Sequence, residues 1–230
     1  MQSFDRALID GRTIRVLVTD KADGDLCING DPAVLAERRV HLVDRQWIWL
    51  NQVHENNVIE LGDVDVVEQW RAVGADGVVT LRHDVALAVH GADCATIGLW
   101  SDDGAIAAVH AGWRGLERGV VESAVAALRK LSAAPLRAIV GPTICPECYE
   151  FGDDDLALMI KRFGEQVGAV TSGGRASLDT RRVLDSEFDR LGVDLVHRDS
   201  RCTACEAESL WSFRSRGDEA RQALVIWIEQ

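Results

Sequence analysis

Three side chains in this sequence, His54, Cys94 and His110, are of the types that hold a catalytic metal ion. Each falls at the end of a short apolar run or in the loop just beyond it, where α/β folds usually present reactive groups. Two imidazoles and one thiolate form a zinc set whose fourth corner stays open, and a metal so held activates water near neutral pH. The spacings of 40 and 16 residues do not by themselves bring the three together. Scattered core histidines and a buried thiol would read the same. Without a metal, Cys94 and His110 would be a nucleophile and its base, the pair a cysteine hydrolase or amidase needs.

Other residues add to this set. The string Ala111-Gly-Trp-Arg-Gly115 follows His110 and leads into an apolar stripe of helical period, Leu116, Val120, Ala124 and Leu128. Glycines before a helix let backbone approach a ligand, and the helix start favours an anion. Arg114 would add a guanidinium fork suited to phosphate; its bland alternative is a surface ion pair. Asp93, beside Cys94, reads either as a proton-transfer group or as a carboxylate that orients a histidine. Two C-x₂-C units, Cys145–Cys148 and Cys202–Cys205, suggest a Cys₄ zinc, but 53 residues separate them, well beyond the usual ~15–20. Cys27 reads as a loop or core thiol, and His41, His83, His90 and His197 have no evident partner. The seven tryptophans follow no fixed period and read as core and pocket wall.

The elements that must position these residues are mixed α and β. Strands are expected over 14–19, 47–50, 58–61, 85–90, 95–100, 105–109, 138–140 and 222–228, with a hairpin at Asp103-Gly104. Helices are expected from Asp31-Pro32 to Val43, through the stripe ending at Leu131, over 153–162, and over 179–191 closed by Gly192. Residues 63–74 are ambiguous. There is no repeat and no Gly/Ser/Pro linker, so residues 1–230 read as one α/β domain.

Composition narrows the partners. The chain has 230 residues, is 47% hydrophobic, and carries Lys+Arg 25 against Asp+Glu 37 for a net charge of −12. It is large and apolar enough to bury a core without disulfide staples. That charge repels nucleic-acid backbone and anionic lipid, so neither is expected as a partner, while two local arginines still suit a small phosphate-bearing ligand. With no basic-then-apolar start and no run of ~18–20 apolar residues, a cytoplasmic location is expected. In that setting cysteines are more often buried, metal-bound or reactive than disulfide-linked.

In chain order, several motifs together resemble one family. They are Gln52-Val-His54, Ala75-Asp-Gly-Val-Val-Thr80, Ala92-Asp-Cys94, Ala108-Val-His-Ala-Gly-Trp-Arg-Gly115, Gly141-Pro142 with Cys148-Tyr-Glu150, Cys202-Thr203, Ser212-Phe-Arg214 and Val225-Ile-Trp227. From about residue 50 onward the sequence resembles the laccase-domain family, also called the polyphenol-oxidase-like, purine nucleoside phosphorylase or peptidoglycan-editing-factor family. The resemblance implies a layered α/β domain of packed sheets with helices outside, similar in fold to bacterial toxin deamidases. It implies zinc on His54, Cys94 and His110, with purine nucleosides and phosphate as small-molecule partners. The implied activities are phosphorolysis of adenosine, inosine or methylthioadenosine to base and sugar 1-phosphate, and adenosine deamination. Arg114 and Arg214 are then the candidates for phosphate. Two alternatives come with the same family: editing of cell-wall precursors, and a copper-dependent polyphenol oxidase. A His₂Cys set would bind Cu(II), but six histidines in all are few for a four-copper laccase. The sequence departs from the family pattern at Glu55 (usually Gly), Gly91 (usually Thr), and Cys145 and Glu147 (usually Ser and Cys), which puts substrate preference in question.

Overall fold

In the computed structural model, residues 1–8 and 10–229 are described. The strands, in chain order, are β1 (Gln2–Ala7), β2 (Thr13–Val18), β3 (Gln46–Asn51), β4 (Val58–Leu61), β5 (Val73–Gly74), β6 (Gly77–Thr80), β7 (Val85–Gly91), β8 (Ala95–Ser101), β9 (Ile106–Ala111), β10 (Leu136–Val140), β11 (Gly168–Val170), β12 (Ala176–Leu178), β13 (Val193–Arg198) and β14 (Gln222–Glu229). The helices are α1 (Pro32–Leu42), α2 (Trp113–Arg118), α3 (Val120–Leu131), α4 (Asp153–Phe163), α5 (Thr180–Leu191) and α6 (Phe213–Arg216).

Two six-stranded mixed sheets stack face to face. The first runs β1-β2-β14-β7-β3-β5 and the second β13-β10-β8-β9-β6-β4. The period-2 alternation of each strand decides which layer its side chains enter. In β14, Leu224, Ile226 and Ile228 face the second sheet and join Val16, Leu87, Trp100 and Ile106 in the central core. The alternate Ala223, Val225 and Trp227 face outward and pack with Leu35 of α1. The far face of the second sheet, through Ile97, Leu99, Ala107 and Val109, is covered by apolar residues of α3, α4 and α5. The order is thus helix, sheet, sheet, helices. This is the layered α/β architecture expected from the sequence.

Local signals explain most boundaries. Asp31 caps α1 by accepting from the N–H groups of Ala33 and Val34 at 2.8 and 3.3 Å, and Asp179 caps α5 in the same way. Asp103-Gly104 closes the antiparallel β8–β9 hairpin. The stripe from Leu116 to Leu131 is a different case, because it breaks into two helices. Gly119 adopts φ 88°, ψ 37° and ends α2 after six residues, a left-handed turn that only glycine takes cheaply. The helix that starts beside Arg114 is therefore too short to offer the anion-binding start that the continuous stripe suggested. β1 and β13, for which the sequence carried no strand expectation, are added at sheet edges by pairing with β2 and β10. The apolar runs before and after Gly91-Ala-Asp do not pair with each other. β7 lies in one sheet and β8 in the other, so residues 92–94 cross between the layers.

Candidate metal centre

At one pole of the sandwich β3, β7 and β9 end and β8 begins, and the three predicted ligands meet there. His54 lies in the segment after β3, Cys94 in the crossover into β8, and His110 in β9 opposite Thr96. One ligating atom from each lies within 4.8 Å of the other two. His54 Nε2 is 3.9 Å from Cys94 Sγ, and the two imidazoles meet edge to face at 4.8 Å between centroids.

Asp76 organises this arrangement. It precedes β6, is fully buried, and binds both histidines in different ways. Its Oδ1 accepts from His110 Nδ1 at 2.8 Å and from the His54 N–H at 3.0 Å. Its Oδ2 accepts from the N–H groups of Val53 and Glu55 at 3.2 and 2.8 Å. These bonds hold His54 at φ 59°, a left-handed conformation costly for a residue with a side chain. They also fix the His110 tautomer: a carboxylate only accepts, so Nδ1 carries the proton and Nε2 is left as a lone-pair donor. Burial alone would raise the Asp76 carboxyl, but His110 and the backbone N–H groups outweigh it and hold it below the usual range. In the sequence Asp76 stands only as part of the Ala75–Thr80 motif. An aspartate between Ala75 and Gly77 at the head of an apolar strand was the signal that could have singled it out.

The electrostatics suit a cation. Burial pushes the Cys94 thiol up, yet hydrogen bonds and charge from His110 and His54 outweigh it and bring it down to about 6. Burial likewise opposes charge on His110, but Asp76 and Cys94 raise it to about 9. Without a metal the site is thus a thiolate–imidazolium pair backed by a carboxylate. With one, the same groups are a soft sulfur and two nitrogens converging on a common point, which fits zinc or copper(II). Gly112 leaves the space. A Cβ there would lie 2.7 Å from His54 Cδ2 and 3.2 Å from Cys94 Sγ.

The trio opens on a cavity of about 370 Å³ that Gln52, His90, Phe213 and Arg221 also line. Gln52 clamps the His90 backbone from both sides, accepting from its N–H at 2.7 Å and donating to its carbonyl at 2.8 Å. His90 Nε2 is buried with no hydrogen-bond partner. Burial, with Arg39, His110 and Arg221 adding to it, pushes this imidazole down to about 3, so it is neutral.

The remaining expected residues lie elsewhere. Asp93, at φ 116°, orients no histidine: its Oδ1 accepts from Thr203 Oγ1 at 2.5 Å and its Oδ2 from the Arg214 N–H at 2.6 Å. Both oxygens are engaged and Asp93 is not among the residues lining the cavity, so its carboxylate ties the 202–214 segment to the crossover. Arg114 and Arg214 also lie off that cavity, on a neighbouring flank. Arg114 stacks on Trp113 at 4.4 Å and Arg214 on Tyr149 at 4.8 Å, while Phe151 bridges the two rings. Arg214 donates to the Glu150 carbonyl and lines a second cleft with Asp153 and Arg175. Glu55, a departure from the family pattern, pairs with Arg118. Among the described residues no helix is long and apolar enough to cross a membrane.

Comparison with known proteins agrees with this reading of the fold. A Neisseria meningitidis protein superposes with a TM-score of 0.81 at 24% identity, covering 100% of this chain and 99% of its own. YlmD of Geobacillus stearothermophilus gives 0.76 at 22% identity, covering 96% and 93%. A purine nucleoside phosphorylase of Corynebacterium glutamicum is 34% identical over 87% of this chain and 84% of its own length, and one of Xylella fastidiosa is 34% identical over 96% and 90%. The sequence profile of the multi-copper polyphenol oxidoreductase laccase family matches residues 21–229, and the chain belongs to that family.

Proposed function

We propose that this protein is a zinc-dependent purine nucleoside phosphorylase that also deaminates adenosine. The observation that carries the reading is the convergence of His54, Cys94 and His110 on one point at a cavity of about 370 Å³. That volume lies in the range of small-molecule sites, and the relatives named purine nucleoside phosphorylase match over most of their length.

His54, Cys94 and His110 would hold the ion, with Asp76 setting the His110 tautomer and the His54 loop. When bound, zinc supplies Lewis acidity at the floor of the cavity. Neutral His90 lines the cavity as an uncharged wall beside the ligand site. Phosphorolysis needs an anion site beside the sugar. Arg114 and Arg214 are the proposed hydrogen-bond donors to the phosphate from the aromatic flank, and Arg221 adds positive charge inside the cavity. Asp93 acts as a positioning residue: by holding the Arg214 backbone it sets where that guanidinium is anchored.

The test is phosphate dependence. Purified protein should release hypoxanthine from inosine only when phosphate is supplied, and should convert adenosine to inosine without it. A chelator should abolish both. Hypoxanthine release in phosphate-free buffer would overturn the phosphorylase reading.

One observation favours a second reading. The lowered Cys94 thiol, the raised His110 and Asp76 behind it form the ordered set of a cysteine hydrolase. Alkylation decides between them. Cys94 protected in metal-replete protein and freed by a chelator supports the metal enzyme, whereas ready alkylation of metal-replete protein supports the hydrolase.

A further inference from the structure

The two C-x₂-C units, too far apart in sequence to form a compact ribbon, are adjacent in the fold. Cys145 and Cys148 bracket a single 3₁₀ turn (Pro146–Cys148) after Pro142, and Cys202 and Cys205 lie in the loop after β13. A bridge between Thr143 and Cys202 joins the two segments. All four sulfurs lie within 4.8 Å of one another, and Cys148 Sγ is 3.6 Å from Cys205 Sγ. A tetrahedron of sulfurs about 2.3 Å from a central ion has edges of about 3.8 Å, close to the Cys148–Cys205 separation and inside the 4.8 Å that bounds all four sulfurs. A disulfide would need about 2.05 Å. The backbone also faces the sulfurs: the Cys145 N–H donates to Cys202 Sγ at 3.2 Å. Such an N–H···S bond disperses the charge that four thiolates bring to one place. Arg216 holds the carbonyls of Thr203 and Ala204 at 3.2 and 3.1 Å, adding positive charge beside the loop.

We propose that Cys145, Cys148, Cys202 and Cys205 bind one structural zinc ion as a closed tetrathiolate, separate from the His54–Cys94–His110 centre. Binding replaces four thiol protons by one Zn²⁺ and leaves a local charge of −2. Four protein ligands leave no corner for water, so this ion staples rather than catalyses. What it staples is specific. The 141–150 segment donates to the main chain of the crossover, through the Ile144 N–H to the Asp93 carbonyl at 3.1 Å, and the 202–205 loop donates to the Asp93 carboxylate through the Thr203 hydroxyl. Both clamped loops therefore hold the residue next to ligand Cys94.

Zinc per chain, measured by elemental mass spectrometry on protein purified without chelator, tests the assignment. Wild type should carry about two ions, His54→Ala about one, and Cys148→Ser/Cys205→Ser about one with a lowered melting temperature. About one ion in wild type, lost in His54→Ala and retained in Cys148→Ser/Cys205→Ser, would overturn the proposal. So would stoichiometric iron in place of zinc, or a Cys148–Cys205 disulfide in protein isolated anaerobically. Should the double variant not fold, cobalt(II) loading of the His54→Ala chain decides. Thiolate-to-cobalt charge transfer with tetrahedral ligand-field bands supports a tetrathiolate, and their absence removes it. Neither arm depends on nucleoside turnover, so the result stands apart from the proposed catalytic role.

Discussion

The two cysteine-containing clusters are built on opposite principles. His54, Cys94 and His110 sit at or beside strand ends, mix nitrogen with sulfur, and face a cavity. The four-cysteine cluster is carried by loops, is all sulfur, and takes a backbone hydrogen bond from the Cys145 N–H. The first is held in place by the sandwich, through ladder register and the buried Asp76, before any ion arrives. The loops of the second have few regular elements to fix them, so an ion would contribute more to their order. Pre-organisation by the fold suits a centre that must keep an open corner, and closure by the ion suits one that need not.

The largest expected break in that contrast is Asp76→Ala. It leaves the buried His110 Nδ1–H and three part-buried backbone N–H groups without their acceptor, and a donor orphaned away from water costs about 1–3 kcal/mol. Denaturant unfolding should show a loss of at least about 3 kcal/mol, and metal at the trio should be lost while the four-cysteine ion is retained. The milder Asp76→Asn should keep the fold but weaken zinc at the trio by about 10–100-fold, read by competition with a chromophoric chelator.

Proton competition gives the next effect. Below its value of about 9, His110 must give up a proton to bind metal, whereas Cys94, lowered to about 6, is already a thiolate above that value. Metal affinity at the trio should therefore rise about tenfold per pH unit between pH 7 and 9, and level off above 9. The linkage sign for folding is different. In the metal-free protein, the stability from raised His110 is present below its unfolded value and lost as pH rises through about 9. That from lowered Cys94 is present above its unfolded value and lost as pH falls through about 6. The two compensate in between, so thermal melts of metal-free protein should change little there.

Gly112→Ala should act only on the first cluster, since its Cβ would press on His54 and Cys94 Sγ. About a tenfold loss of metal affinity at the trio, with no change at the four cysteines, is expected in the same competition assay. The smallest effect is Glu55→Gly, which removes a solvent-exposed pair with Arg118. It should change stability by no more than about 1 kcal/mol, measured by chemical unfolding.

The sequence exposed those parts of the molecule that depend on local chemistry. Asp31-Pro32, Asp179 and Gly192 marked helix ends because caps are local, and Asp103-Gly104 marked the hairpin for the same reason. The three ligand candidates were visible as residue types at the ends of apolar runs, though spacing did not show that they meet. What stayed hidden is set by long-range pairing. β1 and β13 exist because β2 and β10 offer them an edge. Asp76 reaches residues more than twenty positions upstream, and Arg221 enters the cavity only because β14 lies beside β7. The same limit explains Asp93: adjacency to Cys94 suggested proton transfer, while its partners, Thr203 and Arg214, lie at the far end of the chain.

The position of β14 has a further consequence, for the order of assembly. It lies between β2 and β7, antiparallel to both, yet every strand of the second sheet precedes it in the chain. During synthesis, β2 and β7 must wait as open edges until residues 222–229 arrive, after the last strand of the layer beneath them. Such late, distant closure slows folding and leaves sticky strand edges exposed meanwhile, which makes the first sheet the half of this molecule most in need of protection by a chaperone.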